Sequence, residues 1–154
     1  MARLPNVSAT LCREAQLVPG PARSVMGRAI VLRDLPADDA RLRVLVVGGM
    51  HGDELSSSSV ALHWIGLAQN QPMQLPVPVH WRFIPALNPD GLVARPPRRV
   101  NANGVDLNRN FPTPRWDREA PVYWEKRTRK DPRRWPGPRP LSEPESRYLH
   151  DEMA

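Results

Sequence analysis

Cysteine is nearly missing from this chain: Cys12 is the only one in 154 residues. A single thiol excludes an intrachain disulfide framework and a cysteine-based zinc site, and it suits a reducing compartment. Cys12 itself is expected to be a quiet, buried thiol. Aromatic residues make up 6% of the chain and apolar residues 40%, so the core must be modest. Long hydrophobic runs are also lacking. No window approaches a membrane span, and Met1 to Ser8 contains no apolar stretch of signal-peptide length. These absences lead to the expectation of a soluble, cytoplasmic protein. The length fits one domain over 1–154 and is too short for two ordinary ones.

Proline and basic charge are plentiful. Nineteen prolines require many turns and extended connections. The formal charge of +6 is unevenly distributed, since residues 95 to 139 hold 13 of the 22 basic and 5 of the 16 acidic residues, a local excess of +8. Such a field favours acidic partners, whether nucleic acid, an anionic surface or a carboxylate-rich substrate. The plainer alternative is a solvated arginine-rich loop at about 112–141.

Residues 1 to 23, broken at Pro19-Gly20-Pro21, are expected to wrap the surface. Ser24 to Leu32 reads as a turn entering a strand, and Arg41 to Val47 as the strongest strand, apolar enough to be central and covered on both faces. After Gly48-Gly49, Asp53 or the following serines are placed to cap a helix whose inner face is Val60, Leu62, Ile65, Leu67 and Ala68. A proline-punctuated link follows over Pro72 to Pro78. Val79 to Ile84 alternates polar and apolar residues, which suggests a strand nearer the sheet edge. Turns dominate from Asn88 onward, with a long irregular stretch from Arg115 to Pro138. Ser142-Glu143-Pro144-Glu145 has the form of a capping box, with helix to Met153. Strand, turn and helix in this order point to an α/β fold with an open sheet.

The chemistry concentrates in Gly49-Met50-His51-Gly52-Asp53-Glu54. Imidazole and carboxylate are good zinc donors, and their i, i+3 spacing falls directly after the best buried strand, where open α/β sheets place ligands. His and Glu at this spacing also occur by chance in many helices. In Gly104 to Phe111, the adjacent Asn108 and Arg109 suit two-point binding of a carboxylate.

Taken with Asn88-Pro89-Asp90-Gly91, Arg99 to Pro112 and Ser142 to Glu145, these motifs resemble the zinc metallocarboxypeptidases, the carboxypeptidase A-like enzymes. The second and third motifs are worded most like the bacterial amidase branch, which cuts the γ-D-glutamyl to diaminopimelate amide bond in recycled murein peptides. The resemblance implies an α/β fold with an open mixed sheet flanked by helices, and one Zn2+ ion with His51 and Glu54 as two of three ligands and Asp106 behind the ligand imidazole. It further implies Arg99 as the catalytic residue that polarises the scissile carbonyl, with the nearby Arg95 and Arg98 leaving the register open. Asn108 and Arg109 correspond to the residues gripping the substrate's terminal carboxylate.

The family draws its third ligand, a His, and its general-base Glu from beyond the helix near Ser142. Neither has a counterpart in these residues. The chain is therefore expected to be the N-terminal part of such an enzyme, with weak zinc binding and little activity alone. His150 lies within a helix and is a poor substitute. His63 and His80 read as structural, and Glu145 and Glu152 as helix-surface acids. The competing functions are an N-acyl amino acid hydrolase of the desuccinylase and aspartoacylase branch, and a basic nucleic-acid-binding module using Trp116, Trp124 and Trp135.

Overall fold

The computed structural model describes residues 4–70 and 76–154. The start of the N-terminal reading and much of the Pro72 to Pro78 link lie outside the described residues. Four strands, β1 (Val18–Arg23), β2 (Ala29–Leu35), β3 (Leu42–Val47) and β4 (Val79–Ile84), form one mixed sheet in the order β1-β2-β4-β3. β1 and β4 each pair antiparallel with β2, whereas β3 and β4 run parallel, in register from Leu42↔Val79 to Val47↔Ile84. Parallel neighbours need a crossover, which α2 (Leu55–Asn70) supplies.

Helices α1 (Ala9–Glu14) and α2 cover one face of the sheet. There Ala15, Leu62, Ile65 and Phe83 make a core against which Leu11, Val46 and Trp81 pack. On the other face α5 (Pro144–Met153) brings Tyr148 and Leu149 onto Ile30, Leu32, Ile84 and Leu107. Each large apolar side chain fully buried this way contributes about 1.5–3 kcal/mol.

Several expectations are corrected. β3 stands at a sheet edge among the described residues, and β4 is interior. The apolar run of β3 reflects packing of both faces, Leu45 and Val47 on one and Val46 on the other, and facial packing does not depend on having two strand neighbours. The polar residues of β4 are accommodated inside the sheet because Asp34 takes both: His80 Nε2 lies 2.8 Å from Asp34 Oδ1, and Arg82 Nε donates to the same oxygen at 3.1 Å. Arg82 Nη1 also donates to Glu152 Oε2 at 2.6 Å, so Glu152 is an ion-pair partner and not a free surface acid.

Within the stretch assigned to surface wrapping, β1 is a paired edge strand, a position that tolerates proline. Its Gly20 is required by closeness, since a Cβ there would sit 2.7 Å from the Ile30 carbonyl oxygen. In α2 the buried side is Ser58, Ser59, Ala61, Leu62 and Ile65, while Val60 and Leu67 are exposed. Cys12 is exposed as well. The stretch 115–138 is less irregular than expected, holding α4 (Trp116–Val122), a π-turn at Tyr123–Arg127 and a 3-10 turn at Pro132–Arg134.

The capping box does not form. Glu143 is the N-cap of α5 without a side-chain cap bond, and the free donors go to Asn110 Oδ1, from Glu143 N at 3.2 Å and the Ser146 hydroxyl. Glu145 is not a surface acid either. It is fully buried, accepting from Val25 N at 3.1 Å and Asn101 Nδ2 at 3.1 Å, and burial pushes its carboxyl above the ordinary range.

Candidate metal centre

The parallel pair β3 and β4 end side by side, and their exits stay bonded: Gly48 N donates to Ile84 O, Leu87 N to Gly48 O and Asn88 N to Gly49 O. Both connections therefore leave the same sheet end, the usual ligand position in open α/β sheets. The β4 exit enters α3 (Pro89–Val93), capped by Asn88 Oδ1, which accepts from Gly91 N at 2.8 Å. The loop after β3 rests directly on this turn. Gly52 is packed so tightly that a Cβ would meet Gly91 C at 2.2 Å and Leu92 N at 2.3 Å, both backbone atoms.

His51 is buried, and its two ring nitrogens have different neighbours. Nδ1 is 3.0 Å from Glu54 Oε1, and Nε2 is 3.0 Å from Asp106 Oδ1. Asp106 is fully buried. Burial works against its charge, yet the His51 hydrogen bond and the Arg99 charge outweigh it, and the carboxyl is held below its usual range. Its backbone is fixed by Asp106 N donating to Trp135 O at 2.8 Å, and Oδ1 also accepts from Asn108 N at 3.2 Å. Arg99 Nε donates to Asp106 Oδ2 at 3.1 Å and Nη1 to Glu54 Oε1 at 3.3 Å. Arg99, and neither Arg95 nor Arg98, thus joins the two carboxylates. Glu54 remains 53% exposed in its side chain, open to an incoming ion or substrate.

Arg109 lies 3.6 Å from Asp106 Oδ2 through Nε and 5.1 Å from the centre of the Tyr123 ring. Its Nε is buried without a hydrogen-bond partner among the described residues. Asn108 is exposed beside it. Of the six residues singled out in the sequence, His51, Glu54, Arg99, Asp106 and Arg109 are therefore linked through their side chains, and Asn108 joins them through its backbone N–H.

Zinc fits this arrangement in part. Nδ1 of His51 and Oε1 of Glu54 are donors of the right chemistry facing each other, but Asp106 lies on the opposite ring nitrogen and cannot share an ion with them. Among the described residues no three His, Cys, Asp or Glu side chains converge on one point. His150 is partly exposed next to Asp151, His63 bonds Asn6 O, and His80 bonds Asp34, all away from the pair.

Sequence reading missed two groups of residues. Asn101 accepts from Asn103 N and Val105 N while its Nδ2 donates to Glu143 at 2.7 Å, which ties the Asp106 loop to α5. Asn110 donates to Pro136 O, Arg139 O and Ser142 Oγ. Both lie in the asparagine-rich stretch around Asp106, but amide partners 26 to 44 positions away leave no local trace. The indoles weighed as stacking surfaces are partly committed: Trp116 is buried with Nε1 donating to Arg109 O, and Trp124 Nε1 donates to Asp131 O.

A mixed α/β sheet carrying a His and a Glu at its strand ends defines a class. The chain belongs to the zinc carboxypeptidase family, whose model matches residues 20–154, and the family's members are hydrolases. Among curated relatives it is similar to murein peptide amidase A of Escherichia coli (strain K12), 36% identical over 129 residues covering 82% of this chain and 50% of the relative. Murein peptide amidase A of Vibrio campbellii is 33% identical over 111 residues, 69% of this chain and 40% of the relative. Of solved structures, murein-tripeptide amidase from Escherichia coli O157 superposes with a TM-score of 0.58 at 29% identity, covering 92% of this chain and 59% of that one. Carboxypeptidase A from Helicoverpa armigera, with a TM-score of 0.71 at 23% identity over 94% of this chain and 39% of that one, shares the fold. The chain spans about half the length of the curated relatives first matched. No helix of the described residues is long and apolar enough to cross a membrane.

Proposed function

We propose that this chain belongs to a zinc-dependent amidase that hydrolyses the γ-D-glutamyl to diaminopimelate amide bond of murein peptides, in the cytoplasmic recycling of cell-wall fragments. The observation that carries the reading is His51 held between Glu54 on one ring nitrogen and Asp106 on the other, each at 3.0 Å. Likeness to two murein peptide amidases favours this substrate over N-acyl amino acids.

His51 Nδ1 and Glu54 would hold the ion. Zinc, when bound, supplies Lewis acidity and lowers the pKa of a bound water. Asp106 accepts a hydrogen bond from Nε2–H, which holds the imidazole in the tautomer with its lone pair on Nδ1 and raises its basicity. Arg99, braced by Asp106 and Glu54, offers its remaining N–H groups to the scissile carbonyl and to the negative charge that develops there. Asn108 and Arg109 bind the terminal carboxylate and orient the peptide.

Two donors leave a zinc ion short of the usual three or four. The 154-residue chain is accordingly expected to bind zinc weakly and to hydrolyse little peptide. Calorimetric zinc titration tests this, with His51→Ala and Glu54→Ala each abolishing the weak binding. Unchanged binding in both variants would remove the reading, and rapid zinc-dependent cleavage by the unaltered chain would overturn the expectation of low activity.

A further inference from the structure

Several basic side chains of the 112–141 segment are paired within it. Arg115 pairs with Glu119 at 2.7 Å, Lys130 with Glu125 at 3.5 Å and Arg134 with Asp131 at 3.6 Å. Arg133 is different. Its Nη2 donates to Asp53 Oδ2 at 2.8 Å, across 80 positions of sequence, and Asp53 is the residue immediately before Glu54 in the metal loop.

The backbone around Arg133 is anchored on both sides. Arg133 N donates to Asp131 Oδ1 at 2.9 Å, and two residues later Trp135 O accepts from Asp106 N at 2.8 Å. The 3-10 turn is thereby held against both the Asp106 loop and the His51 loop. Yet the Arg133 side chain remains 58% exposed, and Asp53 occupies one of its five N–H donors. The pairing is one-point, since Asp53 Oδ1 is buried with no partner among the described residues. The remaining N–H groups of the guanidinium are therefore open to an arriving carboxylate, which can take them bidentately while Asp53 keeps its single contact.

We propose that Arg133 is a specificity-determining residue that binds a second substrate carboxylate, on the acyl side of the scissile amide, while Asn108 and Arg109 hold the terminal carboxylate. Asp53 orients the guanidinium beside the metal loop without consuming it. The substrate proposed above carries a carboxylate on each side of the bond to be cut, and the inference assigns the acyl-side one to Arg133. The inference rests on the function proposed above and adds to it the residue that reads the acyl half.

The test uses the zinc-supplemented chain and two probes: γ-D-glutamyl-meso-diaminopimelate, and the same dipeptide with the glutamyl α-carboxylate converted to the amide. Calorimetry at low ionic strength should give about tenfold tighter binding of the acid form, the worth of one charge-assisted hydrogen-bonded contact. Arg133→Gln should bind both forms alike. Arg134→Gln, which changes an adjacent arginine not joined to the metal loop, should keep the preference and so separates a specific contact from bulk charge. Arg133 is exposed, so its replacement does not threaten folding. If Arg133→Gln retains the preference, if Arg134→Gln loses it equally, or if the unaltered chain binds both forms alike, Arg133 does not read the acyl half and only this inference falls. Binding of neither form by the unaltered chain would instead refute the proposed function, and this inference with it.

Discussion

At the scale of single residues, Asp106 concentrates more of the site than any candidate ligand. It is fully buried, it receives His51, Arg99 and the Asn108 backbone, and against the cost of burial its carboxyl is held charged by His51 and Arg99. Asp106→Asn keeps the size but removes the charge that fixes the imidazole. Zinc affinity should fall about 10–100-fold, as is usual when the partner behind a metal-bound histidine is lost, and competition with a chromophoric chelator measures it. An unaltered affinity would mean that Asp106 merely packs. His51 and Glu54 were legible in sequence because they sit three positions apart after a strand. Asp106 and Arg99 became legible only through resemblance to a family, since nothing local marks an acid 55 positions away as the partner of a histidine. The Asn101 and Asn110 connections and the Arg133–Asp53 pair left no pattern at all, being set by how loops fold back on one another.

At the scale of elements, the β3–α2 and β4–α3 connections act as one unit because backbone touches backbone at Gly52 and Gly91. A Cβ on Gly52 has no flexible side chain to displace, only Gly91 C at 2.2 Å, Leu92 N at 2.3 Å and Arg98 O at 2.6 Å. Gly52→Ala should therefore lower stability by more than about 3 kcal/mol, well above the usual effect of a point substitution. Gly27→Ala, where a Cβ would meet nothing within 4 Å, should cost only the strain of its positive φ. Urea midpoints of the two variants make the comparison, and similar midpoints would show that the metal loop can lift off α3. Hydrophobic period made β2, β3, α2 and β4 readable, whereas α1, β1, α4 and the strand order were not. The run Leu42 to Val47 is apolar because both its faces are packed, and the alternation in Val79 to Ile84 is compatible with an interior strand because Asp34 and Glu152 satisfy His80 and Arg82. Hydropathy records what covers a face, and hydrogen-bonding neighbours leave a much weaker imprint.

At the scale of the whole molecule, charge is arranged so that acid acts on two carboxylates in opposite directions. Hydrogen bonds from Arg82, aided by His80 and opposed by burial, hold the Asp34 carboxyl below its ordinary value of 3.8. Stability from that pairing is fully present above pH 3.8 and is lost as pH falls through the lower folded value. Glu145 has its carboxyl raised by burial, so its unfavourable charge is relieved as pH falls through its folded value toward the ordinary 4.5. Asp34→Asn should be less stable than the unaltered protein by a constant margin at neutral pH, and the margin should shrink below pH 3.8. Denaturation curves at a series of pH values measure it. A margin that does not change with pH would mean that shape, and not charge, sets the contribution of Asp34.

The open side of β3 has a consequence for handling the protein. Its outer side pairs with no strand among the described residues, and Leu42 is 53% exposed in a run with Arg43 as its one charge. In these 154 residues taken by themselves, an edge so little guarded is a template for strand addition, and ordered self-association is expected as their concentration rises. Losses during concentration would then follow the β3 sequence more closely than the net charge, and a lysine placed along that edge would act as a gatekeeper.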